Sequence, residues 1–466
     1  MFATAQNNVS KGWLALSISS LILAGILAGV LVVGRLPPFH HLFSDPLFFK
    51  RCLIVHVELS LFVWFFSFFV FLFSQLPGSK NTSLWQMSGL FLAFSGVAAL
   101  VLSAGMPQSQ PVLNNYLPVI DHPLFHAGLL LFSLGVAISI LGGALFPSGE
   151  ERSCYLPAVM HSGLRAAAVA LLMAIATFWA SWLATPGYLE GEAYYETLFW
   201  GTGHVLQFAN MATMLSVWLL LVTKLTGKPP VSQKLASVLF ILLVLPTLAA
   251  PLVAMGGTIT SFYRSFFTQL MRWAIFPVTL IFLFFCLKSL WRSRGQLKRK
   301  GLALGLYTSF VLTILGFVLG AMIRGSNTLV PAHYHASIGA VTVAFMCATF
   351  LLFEPLGYRV PEGLLSRWAR RQPFLFGLGQ TVFAMGFGLA GSYGMGRKLY
   401  GTEQHIRHTG ETVGLVVMGL GGLLAMIGGV LFLYIVARTL MTGRRLATVP
   451  AEESEPAVGD LVTHHH

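Results

Sequence analysis

Long, nearly uninterrupted apolar blocks alternate with short polar stretches along the whole chain. Twelve blocks stand out, at roughly 12–34, 51–76, 84–105, 122–146, 158–184, 198–223, 234–256, 268–290, 302–323, 333–354, 373–395 and 412–439. About 20 predominantly apolar residues suffice for a helix to cross a bilayer, so each block reads as one membrane span. The predicted fold class is an all-α membrane protein, a bundle of twelve transmembrane helices. Residues 1–445 form a single transmembrane domain. The acidic, Pro/Ala-rich end, residues 446–466, reads as a disordered tail. His464, His465 and His466 resemble a tag remnant and carry no chemistry.

Composition agrees with the pattern. The chain is 56% hydrophobic and only 10% charged, against about 25% charged in ordinary soluble proteins. The four cysteines Cys52, Cys154, Cys286 and Cys347 form no CxxC, which removes a zinc ribbon and a covalently attached haem. The net charge of +13 reflects basic loops at a membrane face, not nucleic-acid binding. Lys224, Lys228 and Lys234 follow block 6. Arg292, Arg294, Lys298, Arg299 and Lys300 follow block 8, and Arg359, Arg367, Arg370 and Arg371 follow block 10. Arg438, Arg444 and Arg445 extend the series at the C-terminal flank. The loop after block 5 carries Glu190, Glu192 and Glu196 instead. The positive-inside rule then puts both termini in the cytoplasm of a bacterial-type inner membrane, and even-numbered spans begin at the outer face. Arg35, Lys50 and Arg51 go against this sorting, and so more clearly do Arg397, Lys398 and Arg407 after block 11.

The histidines carry the candidate chemistry. His40, His41, His405 and His408 fall in outer loops, and His161 starts span 5 at the inner face. His56, His122, His126, His204, His333 and His335 all fall near the start of even-numbered spans, at one depth in the outer third of the membrane. A histidine at a span end is ordinarily interfacial. Several at a common depth on separate helices point to a site, because ionisable groups are costly in a membrane and neutral imidazole ligates iron and copper. His333 and His335 are two apart on one helix and project about 200° from each other. They can serve two cofactors on opposite sides of that helix, but not one metal from one side.

Histidines in spans 2, 6 and 10 resemble the catalytic subunit I of the haem-copper oxidase superfamily, which includes cytochrome c oxidases and nitric oxide reductases. Val330-Pro-Ala-His-Tyr-His-Ala-Ser-Ile-Gly-Ala is similar to that family's span 10 signature, and Trp200-Gly-Thr-Gly-His-Val-Leu-Gln-Phe to its span 6 motif. The resemblance implies two haems, of b or related type. His56 and His335 would be the axial pair of a low-spin haem, and His333 the proximal ligand of a high-spin haem. His204 would bind a second, non-haem metal, and Arg397 with Lys398 would hold haem propionates. It also implies a cytochrome c or cupredoxin-type donor at the outer face, electrons passing across span 10, and oxygen or nitric oxide as the small gas at the high-spin haem.

Two departures qualify that expectation. The family has adjacent histidines at the outer end of span 7, where this chain reads Met255-Gly-Gly-Thr-Ile-Thr-Ser-Phe-Tyr-Arg264. One imidazole does not make a tight copper or iron site. The tyrosine one turn after the span 6 histidine is also replaced, by Phe208. His122 and His126, four apart on one helix face, are candidate substitute ligands if span 4 faces His204. Glu58 lies near a haem by this resemblance, and Glu354 at the inner end of span 10. No acidic ladder connects the inner face to the site, and Ser309, Thr313, Ser337 and Thr342 read as packing hydroxyls, so efficient proton pumping is not expected. Three readings remain open: a two-haem oxidoreductase with an incomplete or absent copper site, a non-catalytic haem subunit for electron transfer, gas sensing or assembly, and a twelve-helix transporter without haem.

Overall fold

The computed structural model describes residues 2–33, 47–77, 83–107, 109–146, 155–297, 300–397 and 408–442. His40, His41, His405, Arg35, Arg407, Lys298, Arg299, Lys398, Arg444, Arg445, Cys154 and the tail at 446–466 lie outside the described residues.

Twelve helices are long and apolar enough to cross a membrane, one for each predicted block. They are α1 (Phe2–Val33), α2 (Phe48–Phe73), α3 (Ser83–Ser103), α4 (Pro123–Leu141), α5 (Ala158–Ala184), α6 (Gly191–Thr226), α7 (Gln233–Met255), α8 (Ser261–Arg292), α9 (Lys300–Met322), α10 (Leu329–Leu352), α11 (Leu364–Ser392) and α12 (Thr409–Thr442). Each helix crosses the bundle once, so the even-numbered ones all begin at one end of it. Three of these form its centre. In their most apolar stretches 67% of α2 and 78% of both α6 and α10 are buried, against 22% of α12. Those three helices carry His56, His204, His333 and His335.

Some boundaries differ from the hydropathy reading, for physical reasons. α6 begins at Gly191, not near 198, because Glu192, Tyr195 and Glu196 are helical although polar. These turns project past the apolar layer and are held by loop contacts described below. α8 likewise begins at Ser261, not near 268. His122, expected within span 4, instead caps α4: its backbone is extended and its Nδ1 accepts from the Leu124 amide at 3.1 Å. Proline at the first helical position explains why the helix starts one residue later.

Helix pairs approach most closely where glycines line up. A Cβ on Gly96 would lie 2.5 Å from the backbone of Phe132 across the α3–α4 contact, and one on Gly414 2.6 Å from the backbone of Ala390 across α11–α12. Small residues of this kind let membrane helices pack without a hydrophobic driving force. α2 contains a π-helical stretch, Glu58–Val63, an irregularity that is often found at functional sites. A small antiparallel hairpin, β1 (Gln110–Val112) and β2 (Val119–Asp121), connects α3 to α4 with Pro111 opposite Ile120. It sits at the end where the even-numbered helices begin. The buried Arg51, near the start of α2, anchors the segment before it by donating to the carbonyls of Ala104 and Ser109.

Candidate functional site

Helical periodicity puts His333 and His335 on different sides of α10, and each meets different neighbours. His333 lies against α9, where its Nδ1 is 2.7 Å from the carbonyl of Gly316. Gly320 makes room for it: a Cβ there would stand 2.7 Å from the His333 ring. His335 turns towards α11, its ring centroid 4.6 Å from Phe383 and 6.3 Å from Phe387. His56 of α2 places its Nδ1 2.8 Å from the carbonyl of Ala24 on α1. The imidazoles of His56 and His335 are close enough to interact electrostatically.

A carbonyl only accepts, so Nδ1 of His56 and of His333 must carry the proton. The Nε2 of each ring is then the atom with a free lone pair, aimed away from the backing helix. This is the second-layer arrangement that orients histidine ligands and raises their basicity. His56, His333 and His335 remain only half-buried although they sit on the bundle's central helices, so open space adjoins them. The three imidazoles, the glycine cradle under His333 and the placement of His333 and His335 on different sides of α10 fit two haem groups, one on each side of that helix.

His204 is built differently. It is buried on α6, thirteen positions after Gly191 and therefore ~20 Å along the helix axis from its projecting end. Its Nδ1 is 2.6 Å from the carbonyl of Trp200, one turn back, and so carries the proton. Its Nε2 is 2.9 Å from the hydroxyl of Tyr116. With Nδ1 protonated, Nε2 must accept and Tyr116 must donate. The only lone pair that a metal could use is therefore taken by a phenol. Gly203 makes the notch for this tyrosine, since a Cβ there would lie 2.6 Å from the Tyr116 ring. Trp200 and Phe267 complete the ring packing around His204, at 4.8 and 5.8 Å.

Tyr116 belongs to the loop of the β1–β2 hairpin. Asn115 beside it gives both its backbone amide and its side-chain amide to the carboxylate of Glu196 on the projecting turns of α6. Partial burial and the nearby Glu196 charge hold the Tyr116 phenol above its ordinary pKa, so it is a neutral donor at physiological pH. A second tyrosine occupies the region where the expected histidine pair is missing. Tyr263, fully buried at the start of α8, donates to the carbonyl of Thr197 at 3.3 Å and accepts from the amide of Gly201 at 2.9 Å. It thus bridges one helical turn of α6 just before His204. Neither tyrosine has a local sequence signal, and sequence reasoning missed both.

The proposed substitutes do not reach His204. His126 points to Tyr195, whose hydroxyl is 3.2 Å from its Nε2 and donates to Asp121 at 2.8 Å. His122 is spent on the α4 cap. Among the described residues no group of three or more His, Cys, Asp or Glu could hold a metal ion. The residues around His204 therefore do not fit a second, non-haem metal.

Arg397 lies in a loop stitched to the start of α10: the Thr328 amide donates to the Met395 carbonyl at 2.9 Å, and Gly396 bridges to Asn327. Its Nε donates to Ser326 Oγ at 3.0 Å, which holds a cation near the end of α10 that bears both histidines. Glu58, two residues beyond His56, is 1% exposed, and neither carboxylate oxygen has a hydrogen-bond partner in the structure.

Comparisons with known proteins identify the family and the fold. Residues 9–431 match the family model described as Cytochrome C and Quinol oxidase polypeptide I. An uncharacterized protein of Rickettsia prowazekii (strain Madrid E) is 25% identical, and the match covers 93% of this chain and 96% of that one. An uncharacterized protein of Aquifex aeolicus (strain VF5) is 28% identical over 76% of this chain and 87% of its own. Among solved structures, a heme-copper terminal oxidase dimer determined by cryo-electron microscopy superposes with a TM-score of 0.74. It is 18% identical, over 93% of this chain and 84% of that one.

Proposed function

The chain belongs to the cytochrome c and quinol oxidase polypeptide I family, and from that premise we propose that it is a respiratory membrane oxidoreductase subunit with two haems and no second metal. His56 and His335 hold a low-spin haem, His333 holds a high-spin haem, and Arg397 with Lys398 pairs with propionates. The haems would supply one-electron redox chemistry and an open iron position for a small gas, oxygen or nitric oxide. The chain's own residues do the rest. The carbonyls of Ala24 and Gly316 orient the imidazoles, and α10 keeps the two groups apart. Tyr116 and His204 form a fixed donor–acceptor pair where the wider family places metal. Both termini face the cytoplasm of a bacterial-type inner membrane, and a cytochrome c or cupredoxin-type donor docks at the opposite face.

The observation that carries this reading is the placement of the two histidines on different sides of α10: His333 is backed by the Gly316 carbonyl of α9, while His335 lies against Phe383 and Phe387 of α11. The occupied lone pair of His204 favours a second reading as well, a haem subunit that relays electrons or binds gas without cleaving an O–O bond. Both predict the same haem spectroscopy and differ in turnover.

The test is a visible and electron paramagnetic resonance spectrum of the purified chain with His56→Ala and His335→Ala. Each variant should lose the low-spin signal and keep the high-spin one. A full low-spin spectrum in both variants refutes the ligand assignment, and a purified chain without a Soret band refutes the haem reading altogether.

A further inference from the structure

At the end of the bundle opposite the histidines, α8 and α9 leave a cleft. Both helices pack on α6, and α9 also packs on α10 and α11. They touch each other near the histidine end, where the rings of Phe276 and Phe317 are 4.3 Å apart. The space between their far ends has a volume of about 640 Å³ and is lined by Phe284, Leu287, Lys288, Trp291, Arg294 and Tyr307. That is within the ~300–1,000 Å³ range of ligand-sized cavities.

The lining has two chemistries. Phe284, Leu287 and Trp291 recur on one face of α8 and are exposed, so the walls suit an apolar chain. The mouth is cationic. Lys288 Nζ lies 5.7 Å from the Phe284 ring centroid and 5.8 Å from that of Phe285, and the Arg294 guanidinium lies 5.0 Å over Trp291. These contacts hold both cations at the rim, their apolar stems along the walls. No Asp or Glu occurs anywhere between Glu196 and Glu354, so neither α8 nor α9 offers the rim an anion.

We propose that this cleft binds an anionic diacyl phospholipid of the adjoining leaflet, with its phosphate on Lys288 and Arg294 and an acyl chain between α8 and α9. Three features select that occupant over a water-soluble anion or a partner helix. The apolar walls are exposed on membrane-spanning helices, an aromatic residue, Trp291, sits at the end of its span, and neither α8 nor α9 carries an acid to answer the positive charge. Basic pockets between transmembrane helices on the cytoplasmic side are known to take anionic headgroups.

The test uses the full-length protein in phosphatidylcholine nanodiscs, with brominated phosphatidylglycerol or brominated phosphatidylcholine as quencher. The Trp291 signal is isolated by subtracting Trp291→Phe. Wild type should show preferential quenching by phosphatidylglycerol, and the Lys288→Gln/Arg294→Gln double variant should lose roughly 30-fold in that selectivity, the combined factor for two surface cations. Equal quenching by the two lipids overturns the proposal. So does abolition of the preference by millimolar inorganic phosphate, which would mark a simple anion site. Trp291 unreachable by either lipid also overturns it, because a polypeptide would then cover the cleft. None of these outcomes depends on haem content, so the haem reading stands or falls separately.

Discussion

Substituting Tyr116 with Phe removes one oxygen and leaves the ring in its Gly203 notch. The structure makes the consequence specific. His204 Nδ1 is committed to the Trp200 carbonyl at 2.6 Å, so Nε2 is a buried acceptor whose donor is the Tyr116 hydroxyl at 2.9 Å. Without that hydroxyl the acceptor is orphaned. A buried acceptor left unsatisfied costs about 1–3 kcal/mol, while the ring contacts with Trp200, at 5.4 Å, and with His204, at 4.6 Å, persist. Unfolding of the detergent-solubilised chain should show this loss, and His204→Leu should show a similar one with Tyr116 orphaned instead. In the double variant neither partner is unpaired, so the two losses should not add. The pH dependence follows from the raised phenol pKa. A group whose folded pKa is raised contributes stability fully present below its unfolded value, about 10 for tyrosine, and lost as pH rises through the folded one. Wild type should therefore lose stability in alkali beyond about pH 10 more steeply than Tyr116→Phe. Metal analysis completes the assay: neither protein should carry copper, or iron beyond the two haems. Additive single-variant losses, or stoichiometric copper in wild type, would refute the reasoning.

Two other perturbations probe the haem ligands and their surroundings. Gly320→Ala would put a methyl group 2.7 Å from the His333 ring, so the imidazole must shift; carbon monoxide binding at the high-spin centre should fall sharply while the low-spin spectrum stays intact, and unchanged binding would disprove the cradle. Arg397→Gln removes a cation held beside the start of α10 and should lower the haem potentials, because a nearby cation favours the reduced form; redox titration showing an unchanged or raised potential would argue against propionate pairing.

Much of the architecture was legible in the sequence because the bilayer imposes a local rule. Every backbone polar group must be satisfied within its own segment, so each span announces itself as an apolar run, and all twelve were counted correctly. The placement of His333 and His335 on different sides of α10 also follows from local geometry, since helical periodicity needs no partner. The absence of histidines between Met255 and Arg264 was equally plain. What replaced them was not. Tyr116 meets His204 across 88 positions and Tyr263 bridges Thr197 and Gly201 across more than 60, and contacts at such separations leave no pattern in the residues between them. The polar first turns of α6 resembled a loop because their partners, Asn115 and Asp121, are supplied by a distant hairpin. His122 and His126 shared a helix face on paper, yet capping and a tyrosine claimed them. Which spans cross the membrane was thus written along the chain. Only the packing of those spans decided that the lone pair of His204 faces a phenol, because side-chain hydrogen bonds are settled by whichever groups the bundle brings within 3 Å.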